Sequence, residues 1–414
     1  MAPVLPIGSR PARNMSRSSI ALGNLRAVVI IIVLAFHSVL PYLASLPAAA
    51  YSFDSPPYRW QAFPIVDSQR WFGFDLFCAW QDISLMALMF FLSGLFVWPS
   101  LARNGTWTFL SKRLLRIGVP CALTIIFLMP LAYYPAYRAT ATDPSVNAYW
   151  QHWLSLPFWP NGPQWFLCQL LALNLLAAAL HRFALGWSER LVRLVAFASG
   201  NPVRFFVALV AASALAYVPL ALAYSPFTWA NVGPISLQLS RPLHYLVYFF
   251  VGLAVGSYDL DHGLFACDGA LARRWLAWFA AAVAGFVLWA APTSMTMADW
   301  SNAPLVLKLA AGFGYVVACA AGCLFLLAVC LRFARERTRA FDSLSTNAYG
   351  MYLVHYVIAV WLQYSLLDTG WLAIGKAAIV FGGTLIMSWS ITAGLGSVPL
   401  VSKLVTANRG VRGA

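Results

Sequence analysis

Long, unbroken apolar runs dominate this chain and leave few folds open to it. The stretch Ala27 to Phe36 (AVVIIIVLAF) is representative. A transmembrane β-barrel needs segments of about ten residues that alternate apolar and polar. These runs do not alternate, so the apolar segments read as membrane-spanning helices. Composition excludes the soluble alternative. Hydrophobic residues make up 61% of the chain and charged residues only 10%, against about 45–50% and about 25% in soluble domains. So few charges cannot cover the surface of so much apolar material. Aromatic residues at 15% exclude disorder. The expected fold class is all-α: a polytopic integral membrane helical bundle of about ten transmembrane helices.

Ten spans can be drawn, near 21–43, 83–101, 116–136, 164–181, 204–224, 242–258, 275–291, 304–331, 344–366 and 372–401. Each approaches the length that a hydrocarbon core of about 30 Å demands. With the N-terminus inside, 21 of the 27 Lys and Arg residues fall in cytoplasmic segments. The outer side keeps Arg59, Arg70, Arg138, Arg241, Lys308 and Lys376. This is the positive-inside pattern with both termini cytoplasmic. It accounts for the net charge of +14 without nucleic acid. The reading divides the chain into a basic N-terminal tail (1–19), a membrane domain (20–402) and a C-terminal tail (403–414). The first apolar stretch is too long for a signal-peptide core and reads as an uncleaved span. The seven cysteines show no metal-ligand spacing, so no metal site is expected. The outer segments 44–82 and 137–163 are rich in Pro, Trp and Tyr. Such aromatics form interfacial belts, and their density also suits sugar stacking.

A titratable group inside a span is costly and marks a functional candidate. Arg26 and His37 lie eleven residues apart in the first span, nearly three whole turns. They therefore share a face, about 16 Å apart along the axis. Arg113 and Arg116 share a face at the opening of the third span. That reading puts them at a cytoplasmic helix N-terminus, where free N–H groups and two guanidiniums suit phosphate; membrane anchoring is the plain alternative. His355 lies midway along the ninth span, preceded by Asn347, Tyr349 and Tyr352, where interhelical hydrogen bonding is the alternative. Asp75 and Asp82 are placed just before the second span. Gln169, Asn174, His244 and Lys308 are weaker candidates. Ser93 and Gly94 read first as small residues permitting close helix approach.

Taken together, these pieces resemble the membrane-bound acyltransferase family 3, including its glucan-modifying branch. The resemblance lies in LRAVVIIIVLAFH (Arg26, His37), in MALMFFLSGLFV (Phe90, Phe91, Ser93, Gly94) and in R-x-x-R at Arg113 and Arg116. It continues in the W-F-L signature at Trp165, Phe166 and Leu167, in LHYLVYFFVGLAVG, and in NAYGMYLVH ending at His355. Two positions depart from the family pattern. Ala348 replaces the usual serine before Tyr-Gly, and Gln169 stands near the place where many relatives carry Glu.

The resemblance implies transfer of an acetyl or succinyl group from cytoplasmic acyl-CoA, a donor substrate rather than a bound cofactor. The acceptor would be a hydroxyl of an extracytoplasmic glycan or similar envelope molecule, and the setting the bacterial inner membrane. His37, Arg26 and His355 are then the candidate catalytic residues, and Arg113 and Arg116 the acyl-CoA-binding pair. Asn24, Ser93, Trp165, Asn347 and Tyr349 are candidate supporting residues. No carboxylate shares the span of His37, so His355, Asn24 or a water would have to orient it. The lipid bilayer is the expected setting, and a homo-oligomer is compatible with the sequence. A polytopic transporter for a glycan or small molecule is the competing reading, and a non-catalytic scaffold or sensor is a further one.

Overall fold

The computed structural model describes residues 17–184, 186–233, 235–257 and 263–405. Most of the two basic tails, including Arg10, Arg13, Arg409 and Arg412, lies outside these residues, and nothing is drawn from their side chains. Helix makes up 75% of the protein, so the all-α expectation holds. The main helices are α1 (Arg17–Val39), α2 (Phe72–Gly94), α3 (Thr106–Arg138), α4 (Val146–Ser155), α5 (Trp165–Phe183) and α6 (Pro202–Tyr224). They continue with α7 (Pro242–Val255), α8 (Trp275–Thr296), α9 (Leu305–Phe333), α10 (Arg339–Ser365) and α11 (Ala373–Leu395). One antiparallel hairpin, Trp229–Val232 with Ile235–Gln238, precedes α7.

Among the described residues, eight helices are long and apolar enough to cross a membrane: α1, α2, α3, α5, α6, α8, α9 and α11. The other two drawn spans are helical as well. At 14 residues, α7 reaches about 21 Å, less than a hydrocarbon core. α10 is long enough, at 27 residues, but opens on the polar stretch RAFDSLSTN.

α9 runs through the centre. Its most apolar window is 78% buried, whereas that of α11 is only 22% buried. The peripheral helices turn large apolar side chains outward, among them Phe127, Leu215 and Ile386. Hydrocarbon outside the bundle is the solvent that suits such a surface. A separate aromatic cluster sits at one end. It is built from Phe53, Trp60, Tyr133, Tyr137, Tyr149, Trp153 and Tyr356 and packs the 44–71 loop and α4 onto α3 and α10.

Two helix starts differ from the expectation. α2 begins at Phe72, so Asp75 and Asp82 lie within it. Each charge there is answered by a partner that hydropathy does not register. Asp75 accepts backbone N–H groups of Ala44 and Ser45 at 2.7 and 3.1 Å. Asp82 pairs with Arg241 at 2.5 Å. α3 begins at Thr106, because the polar stretch TWTFLSKR continues the same helix. Arg113 and Arg116 therefore stand well inside a helix, and the expectation of a helix N-terminus beneath them is overturned. α3 also contains two π turns, Leu114–Gly118 and Thr124–Leu128, and Arg116 lies in the first.

α2 and α7 pack backbone to backbone. A Cβ at Gly94 would collide with the Phe249 carbonyl, one at Gly252 with the Phe91 carbonyl, and one at Gly256 with the Leu95 carbonyl. Gly94 thus does what its small size suggested, and GLAVG of α7 supplies the small-xxx-small face opposite. Gly252→Ala gains about 1 kcal/mol of helix propensity, but overpacking costs about 1–3 kcal/mol. A helix carbonyl cannot swing aside, so the clash dominates. We expect Gly252→Ala to lower the unfolding temperature in detergent; an unchanged temperature would refute the contact.

Candidate functional site

α1 lies along α10, and this packing brings together two histidines that are 318 residues apart in sequence. His355 is fully buried, while His37, in the last turn of α1, is half-buried. Nε2 of His355 stands 3.3 Å from Nδ1 of His37. Nδ1 of His355 is 2.7 Å from the Tyr352 carbonyl, and Nδ1 of His37 is 2.9 Å from the Val33 carbonyl. A carbonyl only accepts, so the hydrogen-bond network assigns the proton to Nδ1 in both neutral rings. His37 then shares its Nδ1–H between Val33 and the lone pair on His355. Its Nε2 is left as an unprotonated base. Among the described residues, no group bonds that atom.

The pair is tightly held. Tyr356 meets the His37 ring edge-on at 5.4 Å, and its hydroxyl lies 3.5 Å from that of Tyr133. Tyr133 in turn donates to the Gln61 carbonyl at 2.8 Å, anchoring the 44–71 loop. Gln363, two turns beyond His355, donates from Nε2 to the His37 carbonyl at 2.7 Å. It satisfies one of the backbone acceptors that the end of α1 leaves open. Tyr352 donates to the Pro163 carbonyl and so ties α10 to the start of α5.

The arginines gather elsewhere. Arg26 extends to α2, where it donates to the Leu92 carbonyl at 3.0 Å and lies 4.0 Å above the Phe96 ring. Arg113 lies over Phe109 at 5.0 Å. Arg26 feels the charge of Arg113, and Arg113 that of Arg116. Among the described residues, no carboxylate forms an ion pair with Arg26 or Arg113. The like charges of Arg26 and Arg113 repel one another, and a bound anion would relieve that repulsion. Arg26 thus joins the arginines rather than the histidines, about 16 Å along α1 from His37.

The supporting residues divide. Asn24 donates to the carbonyls of Ala334 and Glu336 at 2.8 and 3.1 Å, fastening α1 to the α9–α10 connection, so it does not orient His37. Asn347 donates to the Ser343 carbonyl one turn back. Ser93 adjoins Leu92, the residue that holds Arg26. Tyr349 feels the charge of Arg116, and its buried hydroxyl lacks a hydrogen-bond partner. Trp165 stacks on Tyr245, 6.0 Å between centroids.

Residue-by-residue reading missed Gln363, Tyr356, Tyr133 and Gln164, which carry no charge to draw attention. It also counted Arg241 and Lys376 as ordinary outer-side charges. Both are buried. Arg241 pairs with Asp82, and Lys376 with Asp67 at 2.7 Å, the second pair almost wholly enclosed. The buried His244 has Nε2 3.4 Å from Cys319 Sγ, apart from the histidine pair.

A family model described as an acyltransferase domain matches residues 19–393 of this chain. No curated protein and no solved structure matches it.

Proposed function

Because the chain belongs to the membrane acyltransferase family 3, we propose that it moves an acetyl or succinyl group from cytoplasmic acyl-CoA to a hydroxyl of an extracytoplasmic glycan. The observation that carries this reading is the histidine pair, with one unprotonated nitrogen facing away from its partners. The proposed topology is ten spans in a bacterial inner membrane with both termini inside, supported by the 21-to-6 division of basic residues. In that topology the arginines lie toward the cytoplasm. His37 lies toward the outer aromatic cluster, by which the acceptor enters.

In this reading the CoA phosphates rest on Arg26, Arg113 and Arg116, where guanidinium forks match phosphate oxygens. The pantetheine arm runs along α10 to the histidines. Nε2 of His37 takes the proton from the acceptor hydroxyl as its oxygen bonds to the thioester carbonyl carbon. The tetrahedral intermediate then releases the CoA thiolate, and His37 returns the proton to sulfur. His355 accepts the Nδ1–H of His37 and steadies the transient imidazolium, the place a carboxylate fills in a triad. A thioester is already activated, so positioning and one base suffice.

The test is incubation of the purified protein with labelled acetyl-CoA and succinyl-CoA, followed by mass spectrometry of envelope glycans. Label on glycan hydroxyls is expected; no transfer from either donor refutes the reading. We also expect Arg113→Ala combined with Arg116→Ala to weaken acyl-CoA binding about 10- to 100-fold, through loss of charge-assisted bonds. Unchanged affinity in a thermal-shift titration would return these arginines to membrane anchoring.

A further inference from the structure

Gln164 is fully buried, and neither its Nε2 nor its Oε1 has a hydrogen-bond partner. Among the described residues it is the one side chain with two buried polar atoms left unmatched. Each such group costs about 1–3 kcal/mol when buried, so native chains rarely keep one without a use for it.

Its surroundings place it beside the stretch of α10 that carries His355. Gln164 closes the turn Gly162–Gln164 ahead of α5. Pro163 in that turn accepts the Tyr352 hydroxyl. Gly162 has φ +51, and a Cβ there would lie 3.3 Å from the Tyr356 ring and 3.4 Å from the Tyr133 hydroxyl. The turn is thus held by the two tyrosines flanking the histidines: Tyr352 is 5.6 Å from His355, and Tyr356 is 5.4 Å from His37. One turn before Tyr352 on α10 stands Tyr349, with its own unmatched hydroxyl, under the influence of Arg116. Unmatched polar groups therefore flank the stretch of α10 that leads to His355.

We propose that Gln164 binds the two secondary amides of the pantetheine arm of the donor. Oε1 accepts the N–H of one amide and Nε2 donates to the C=O of the other, while the Tyr349 hydroxyl serves a further polar group of the same arm. Each amide is trans and turns its N–H and C=O to opposite sides, so neighbouring amides together present the donor and the acceptor that complement what Gln164 leaves open. A thioester carbonyl alone would answer only Nε2. The inference rests on acyl-CoA being the donor.

The experiment compares three donors with the purified full-length protein: acetyl-CoA, S-acetyl-N-acetylcysteamine, which keeps one amide, and S-ethyl thioacetate, which has none. Gln164→Met preserves shape and removes both polar atoms. In this variant kcat/KM for acetyl-CoA should fall about 10- to 100-fold, as expected for hydrogen bonds lost in a dry site. The ratio of kcat/KM for S-acetyl-N-acetylcysteamine to that for S-ethyl thioacetate should fall with it. The unfolding temperature should hold or rise, because a buried unmatched amide has been removed. An unchanged ratio, whether activity is kept or lost for both donors alike, overturns the inference. Failure of the wild-type protein with all three donors removes the acyl-CoA reading itself.

Discussion

His37→Ala should lower acyl transfer by about 10²- to 10⁴-fold, the range general-base catalysis supplies, while the protein still inserts and folds. The ring is half-buried and its near polar contacts are Val33 in its own helix and His355. Its removal leaves α1 packed through Leu25, Val29, Val33 and Leu34, all buried. Single-turnover transfer from labelled acetyl-CoA measures the chemistry, and gel filtration with thermal unfolding measures the fold. Wild-type turnover in this variant would end the assignment of His37 as base. His355→Ala should cost less, because it removes the orienting lone pair and leaves the Val33 carbonyl in place.

The second large effect is structural. Lys376→Met strips the partner from Asp67, which is 1% exposed. Breaking a buried pair from one side costs about 3–5 kcal/mol, because the remaining charge stays enclosed. The damage should spread toward the histidines. Asp67 donates its N–H to the Pro41 carbonyl, four residues beyond His37, and its Oδ1 accepts the Gln69 N–H. Denaturation in mixed micelles should show the loss, and adding Asp67→Asn should recover much of it, since the stranded charge is then gone. Equal stability of Lys376→Met and wild type would contradict the enclosure of this pair.

Much of the bundle was legible because hydrocarbon imposes one simple rule: a span must be apolar and about 20 residues long. That rule located α1, α5, α6, α8 and α9 closely. It failed where polar residues stay in a helix because something distant answers them. Asp82 meets Arg241 and Lys376 meets Asp67 across 159 and 309 residues, and no local window detects such partners. At the candidate site, the eleven-residue spacing of Arg26 and His37 was visible because both ride one helix. The pairing of His37 with His355 stood only as one of three possibilities, beside Asn24 and a water, since the choice depends on how α1 lies against α10. Gln164 was invisible for another reason. A neutral glutamine beside a Trp-Phe-Leu run looks ordinary, and only its enclosure without a partner sets it apart.

The π turns of α3 bear on what a sequence motif can specify. A π turn holds about one residue more than the α turn it replaces, and one residue turns a helix through about 100°. The direction in which Arg113 leaves α3 therefore depends on how many residues lie between it and the far end of the helix. A sister chain with the same R-x-x-R but one residue fewer in Leu114–Gly118 would match the motif letter for letter. It would nonetheless rotate its arginines away from Arg26. At this site the number of residues wound into one helix, as much as the arginines themselves, decides whether three positive charges meet.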